Sequence, residues 1–322
     1  MRFAVIGTNF ISDNFADAVS KVDGASITAV YSRAKETGEN FSNRHSVKNV
    51  FTDYREMLSS KLFDAVYVAS PTLLHTEHST LALESGYHVL CEKMLAPTLS
   101  DFYIMKQTAK RTDKVLLEAM RPVFDPAYEI LKNELSKIGR IRRASLEFCQ
   151  YSSRFDRFKM GILTNAFDPK MKNSALSDIG IYPLTVALDL FGCPEDIKAS
   201  SVFLENGFEG GGVSTLIYCD KLVSVVYSKI TDGIRPSVIE GEDGSILIDK
   251  LTAPRSIKKR MRCGEETEIP IPFAENNMVY EIESFIKMTE GKLSSLPYLK
   301  LSENAAVAVD KIYKITGTDS RF

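Results

Sequence analysis

Tryptophan is absent from this 322-residue chain, and histidine occurs only four times. The missing indole excludes little, but it helps an optical assay. His75 and His78 are three residues apart, yet no third or fourth ligand stands near them, so no metal centre is expected. The five cysteines (Cys91, Cys149, Cys193, Cys219 and Cys263) form no CxxC pair and no even framework. That pattern argues against a disulfide scaffold and for a reducing compartment. No apolar run reaches membrane-spanning length. Charge of one sign is also missing: 40 basic and 42 acidic residues are spread along the chain, for a net −2. Nothing in that balance suits nucleic acid or an anionic membrane surface. The densest basic cluster, residues 255–262, reads as the solvated face of a strand or loop. The chain opens directly on a strand pattern, so no signal peptide and a cytoplasmic location are expected.

That opening strand, Arg2-Phe3-Ala4-Val5-Ile6, runs into Gly7-Thr8-Asn9-Phe10-Ile11-Ser12 and then into a helical pattern. A strand that ends in a glycine turn and opens a helix aims backbone N–H groups and the positive helix end at one point, which suits a pyrophosphate. Gly7 supplies the tight turn. Asn9 and Ser12 stand where a dinucleotide fingerprint would carry two further glycines, so a βαβ start with no ligand stays open on these residues alone. Strand and helix patterns then alternate to about residue 120, as in βαβ units. Continuous apolar strands of this kind indicate a doubly wound parallel sheet covered on both faces. From Ile141 the strands lengthen and alternate, which reads as an open, largely antiparallel sheet in an α+β domain. It is interrupted by a helix over 184–191 and followed by helices over 278–289 and 302–316. The expected domains are 1–121, binding a dinucleotide, and 122–322, binding substrate and building the subunit contact.

Ligands of an open parallel sheet bind beyond the carboxyl ends of its strands. Four segments meet that criterion: Gly7–Ser12; Ser32-Arg33; Ser70-Pro71-Thr72 with His75; and Glu92-Lys93. An acid at the end of the second strand would grip a ribose 2′-hydroxyl. Ser32 and Arg33 offer instead a hydroxyl and a guanidinium, which suit a 2′-phosphate, so NADP is favoured over NAD. The charged pair Glu92-Lys93 directly follows a buried strand; it is either a structural ion pair or a site lysine able to donate to a substrate oxygen. In the second half, Asp178 and Tyr182 are four apart and share a helix face, on condition that Pro183 lies in the first turn. Arg154 either faces a pocket or pairs with Asp156 on the surface, and the second reading is preferred.

Taken in order, these segments resemble the Gfo/Idh/MocA family of NAD(P)-dependent oxidoreductases. The resemblance rests on Ala4-Val5-Ile6-Gly7-Thr8, Ser32-Arg33, Ala69-Ser70-Pro71 with His75, Gly86 through Lys93, Glu118-Ala119 and Leu176 through Pro183. It implies a Rossmann domain followed by a domain whose open sheet builds a homodimer or higher homo-oligomer. It places the active-site lysine at Lys93 and the aspartate at Asp178. Tyr182 stands where many members carry histidine, as in the branch that contains glucose–fructose oxidoreductase, xylose dehydrogenase and dimeric dihydrodiol dehydrogenase. There the tyrosine is the acid/base. The cofactor contacts implied are Gly7, Thr8, Asn9, Phe10, Ile11, Ser32, Arg33, Ser70, Pro71, Thr72, His75, Glu92 and Lys93. The substrate contacts implied are Lys93, Asp178, Tyr182 and Arg154. Met94 replaces the motif's proline and Thr72 a common asparagine. The expected reaction passes a hydride between a nicotinamide and a carbinol or carbonyl of a small sugar, polyol or vicinal diol. Asp178 is expected to orient Lys93 or a second hydroxyl. The competing expectation is a non-catalytic dinucleotide sensor on the same fold.

Overall fold

The computed structural model describes the whole chain, Met1–Phe322. Two compact units emerge: Met1–Met120 with Ala274–Lys300, and Arg121–Phe273 with Leu301–Phe322. The single cut near residue 121 is therefore not the whole division, because a later segment returns to the first unit. The reason is the apolar face of helix Met278–Thr289. It buries Met278, Ile282 and Phe285, and the Phe285 ring lies 6.0 Å from that of Phe3. Just before the helix, the Asn276 side-chain amide donates to the Asn14 carbonyl at 2.8 Å.

The first unit is built on six strands: β1 (Arg2–Ile6), β2 (Ser26–Tyr31), β3 (Asn49–Phe51), β4 (Ala65–Val68), β5 (His88–Glu92) and β6 (Leu116–Ala119). All pair in parallel in the order β3-β2-β1-β4-β5-β6. This is the doubly wound order whose reversal, between β1 and β4, opens a crevice at the carboxyl ends of the strands. β1, β4, β5 and β6 are almost wholly buried, because helices cover both faces of a parallel sheet. On one face Phe15 stacks on Tyr67 at 3.7 Å and meets Phe3 edge-on at 5.4 Å.

The second unit carries eight strands: β7 (Ile141–Cys149), β8 (Asp196–Phe203), β9 (Glu209–Ile217), β10 (Leu222–Ser228), β11 (Ser237–Gly241), β12 (Gly244–Ile248), β13 (Ile257–Met261) and β14 (Glu266–Ile269). Their order is β14-β13-β12-β11-β7-β10-β9-β8, antiparallel throughout except where β7 meets β10. The basic cluster at 255–262, read as the solvated face of a strand or loop, contains strand β13, whereas β14 was not read from the sequence. Their charges are matched by neighbours: Lys258 faces Glu266 and Glu268, and Lys259 reaches Glu134 at 2.8 Å. Burial alternates with period two along the central strands. One face packs under helix Ile181–Phe191. The opposite face presents Val213, Leu222 and Val202 to solvent.

Candidate active site

At the crevice of the first unit, Gly7 has φ +94°, a conformation that L side chains rarely adopt. A Cβ there would stand 2.6 Å from the Ala69 carbonyl oxygen. The glycine therefore serves twice: it turns the chain, and it lets the ends of β1 and β4 approach. Asn9 caps helix Phe10–Ser20, its Oδ1 accepting from the amides of Ile11 at 2.9 Å and Ser12 at 3.4 Å. Its Nδ2 donates to the Ala69 carbonyl at 2.9 Å, tying the two sides of the crevice together. An asparagine in the second glycine's place thus stabilises the turn by capping the helix that follows. Ser12 is fully buried, as a residue wedged between helix and sheet must be.

At the end of β2, Ser32 is buried and its hydroxyl lies 2.6 Å from that of Thr37, whereas Arg33 is exposed. The guanidinium is the group there that reaches solvent. After β4, the His75 ring bridges the Ser70 and Met94 carbonyls, each at 2.9 Å. Burial lowers its pKa to about 4, so the ring is neutral at physiological pH and donates through one nitrogen at a time. His75 is 1% exposed; what it fastens is the loop after β4 to the loop that follows Lys93. His78 Nδ1 pairs with the Ser70 hydroxyl at 2.9 Å. Burial, and to a lesser degree Arg33, also lower its pKa to about 4.

Lys93 follows β5 and is half-buried. The peptide bond to Met94 is cis, although proline is absent. Glu92 is buried, and Tyr67 donates its hydroxyl proton to Glu92 Oε1 at 2.5 Å. Beyond Lys93, Glu118 accepts from the Leu95 amide at 2.8 Å. Glu92, His75 and Glu118 thus frame the lysine from three sides of its loop. Neither Tyr67 nor Glu118's contact was read from the sequence, although Glu118-Ala119 belonged to the family motif.

In the second unit, Leu176–Gly180 forms a π-helical turn that leads into helix Ile181–Phe191. Wide turns of this kind are frequent at functional sites, and this one sets Pro183 in the first turn of the α-helix, where its missing N–H is tolerated. A Cβ on Gly180 would stand 2.7 Å from the Tyr227 ring, so only glycine lets the turn lie flat on the sheet. The buried carboxylate of Glu209 fixes the start of the turn. Its Oε2 accepts from the Leu176 amide at 3.0 Å, and its Oε1 from the Ser201 and Tyr227 hydroxyls at 2.6 and 3.0 Å. Tyr182 is buried, its ring edge-on to Phe148 at 5.7 Å.

Asp178 Oδ2 lies 2.8 Å from the Lys229 ammonium. The cation that Asp178 faces within its own unit is therefore Lys229, which sequence reading did not single out. Lys229 directly follows an alternating, half-exposed strand, where a lysine ordinarily reads as solvent-facing. Arg154 is exposed. Its expected partner Asp156 is instead engaged by the Tyr151 hydroxyl and by Lys159, both at 2.7 Å, because the short helix Phe155–Lys159 brings the i,i+3 lysine round to it.

Strand order and the glycine close approach together define a doubly wound fold of the dinucleotide-binding type. Residues 1–120 match the profile of an oxidoreductase family with an NAD-binding Rossmann fold. The scyllo-inositol 2-dehydrogenase (NADP(+)) IolU of Bacillus subtilis is 42% identical over 92% of this chain and 90% of its own length. A trans-1,2-dihydrobenzene-1,2-diol dehydrogenase of Danio rerio is 27% identical over 84% of this chain and 80% of its own. The 3-ketoreductase KijD10 of Actinomadura kijaniata, solved with NADP and TDP-benzene, shares the fold. Its TM-score is 0.87 over 98% of both chains, at 20% identity. The chain belongs to the Gfo/Idh/MocA family of oxidoreductases.

Proposed function

We propose that this protein is an NADP-dependent dehydrogenase that interconverts a CH–OH group and a carbonyl on a small polyol, sugar or vicinal diol. The observation that carries this reading is the 42% identity, over nearly the whole chain, to an NADP-dependent inositol dehydrogenase. The residues of the first unit fit the dinucleotide. The close approach of Gly7 to the Ala69 carbonyl brings the carboxyl ends of β1 and β4 together at the crevice where a parallel sheet of this order binds its ligand. Arg33, exposed past β2, suits a 2′-phosphate. Gly7, Thr8, Asn9, Phe10 and Ile11 would line the pyrophosphate, Ser32 and Arg33 the ribose phosphate, and Ser70, Pro71, Thr72 and Glu92 the path toward the nicotinamide. His75 supports that path from beneath. The bound cofactor supplies a hydride acceptor or donor, and the protein's task is placement.

In this reading Lys93 holds the substrate oxygen through its ammonium. Tyr182 takes or gives the hydroxyl proton at its phenolic oxygen. A phenol's ordinary pKa is near ~10, so a base role near neutrality needs a cation beside it, and Lys93 is assigned that second task. Asp178 accepts from a neighbouring substrate hydroxyl, which fits a diol or polyol better than an isolated alcohol. Arg154 is the outermost candidate contact. A non-catalytic sensor is the poorer reading, since relatives on both sides of this similarity are named dehydrogenases.

The bare face of the second sheet supports a homodimer formed through it, and five free cysteines support a cytoplasmic setting. The deciding experiment is a 340 nm screen with NADP+ and NAD+ against inositols, aldoses and trans-diols. Turnover with a polyol or diol, faster with NADP+, is expected. Absence of turnover across the panel with intact NADPH binding would overturn the reading in favour of the sensor.

A further inference from the structure

Lys229 follows β10 directly, yet its side chain is only 3% exposed. An ammonium taken out of water is strongly penalised unless it is paired and hydrogen-bonded. This one meets Asp178 Oδ2 at 2.8 Å, donates to the Ala166 carbonyl at 2.8 Å, and lies 4.9 and 5.1 Å from the ring centres of Phe167 and Phe208. The two rings make a cage that attracts a cation through their π faces. A methionine would fill the same cage at a lower desolvation cost, so packing alone does not account for a charge there. The charge is accounted for by the anion in front of it. Asp178 leaves about a third of its side chain (35%) exposed while Lys229 shows almost nothing, so the buried cation backs a side chain that still reaches solvent.

We infer that Lys229 is a positioning residue: it holds the Asp178 carboxylate in place and aimed at a substrate hydroxyl. The backbone supports this. The Lys229 amide donates to the Gly210 carbonyl at 2.8 Å, extending the β9–β10 ladder by one rung beside Glu209. Two adjacent strands therefore grip the π-helical turn at two points. Glu209 holds the Leu176 amide, and Lys229 holds Asp178 two residues on. A carboxylate on an unusually wound turn is thus fixed by contacts from the rigid sheet below, which is how a site retains geometry that its own loop would not keep. Within its own unit, the ammonium that Asp178 meets is that of Lys229.

The inference rests on the reading that Asp178 touches substrate, and the test separates the two. Four full-length proteins are compared: wild type, Lys229→Met, Asp178→Asn and the double variant. The measurements are kcat and KM for the best polyol at 340 nm, and NADPH affinity by fluorescence. Lys229→Met is expected to lower kcat/KM by ~10–100-fold with NADPH affinity within about twofold, and the double variant to be no slower than Asp178→Asn. Multiplicative losses in the double variant, or a Lys229→Met enzyme as fast as wild type, overturn it. If the methionine variant does not fold, Lys229→Gln replaces it under the same criteria. If wild type turns over no polyol or diol, the functional reading has failed. The pair is then judged by thermal unfolding of the same four proteins. A double-variant Tm shift smaller than the sum of the single shifts supports a coupled pair, and a fully additive one overturns it.

Discussion

Function at the residue scale turns on a few polar groups held by buried neighbours. Lys93 is set by Glu92, His75 and Glu118, each acting on the backbone around it. Replacing it by methionine removes the ammonium and spares that frame. Lys93→Met is therefore expected to cut turnover by ~10²–10⁴-fold, the usual range for losing acid–base assistance, while NADPH binding, read by fluorescence, stays nearly intact. Equal loss of both would make the lysine structural. Tyr182→Phe should lower kcat by a similar factor at neutral pH, and retained activity would pass the proton to Lys93. Arg33 belongs to a different task. A charged hydrogen bond to a phosphate is worth about 1.5–3 kcal/mol, so Arg33→Ala should weaken NADPH binding by ~10–100-fold and barely touch NADH. Calorimetric titration with both dinucleotides checks this, and parallel losses would move the 2′-phosphate contact elsewhere.

At the scale of elements, two glycines decide where backbones can meet. Gly7 joins β1 to the following helix with a positive φ and a 2.6 Å clearance that no side chain can share. Gly7→Ala should cost about 2 kcal/mol or more of stability through backbone strain and displacement of the β4 end, and should weaken NADPH binding in the protein that remains folded. Denaturant unfolding and a dinucleotide titration read the two effects separately. The loop after β4 carries a pH dependence of its own. Burial of His75 and His78 lowers both pKa values to about 4, against about 6.5 in an unfolded chain. Above pH 6.5 both states bind no proton on these rings. As pH falls from there toward 4, the unfolded chain takes protons that the folded one refuses, so stability declines across that window by an order of a few kcal/mol. Tm measured from pH 7.5 to 4.5 should fall accordingly, and a His75→Gln variant should show a shallower fall. A flat wild-type profile would contradict neutral, buried histidines.

Viewed as a whole molecule, the chain spends one face of its larger sheet on the helix that carries Tyr182 and leaves the other bare. Val213 pairs with Val226 on that bare face, and Leu222 lies four residues back along the same strand. Contiguous apolar side chains on a sheet face mark a candidate contact surface. Light scattering is expected to report a dimer. Leu222→Glu combined with Val213→Glu should shift it to monomer at micromolar concentration, with the fold retained by circular dichroism, because both side chains already meet solvent in the single chain. A dimer unchanged by both substitutions would place the contact elsewhere.

The parallel sheet and the later, largely antiparallel sheet were legible in the sequence, because each leaves a local signal: continuous apolar strands between helices, and period-two alternation. Lys93, directly after a buried run, stood out by its place, whereas Asp178 and Tyr182 were proposed through the family resemblance. What tertiary structure alone decided is where those groups find their partners. Residues 274–300 return to the first unit because one apolar helix face fits Phe3 and the helix Phe10–Ser20, a match between segments more than 250 residues apart in the chain. Asn9, which looked like an eroded glycine, is a helix cap tied to Ala69. Asp178 faces Lys229 across a wide turn and a strand end. Periodicity and motif spacing record what neighbouring residues share, and pairings of this kind are settled only when sheet order and helix packing bring distant side chains within hydrogen-bonding reach.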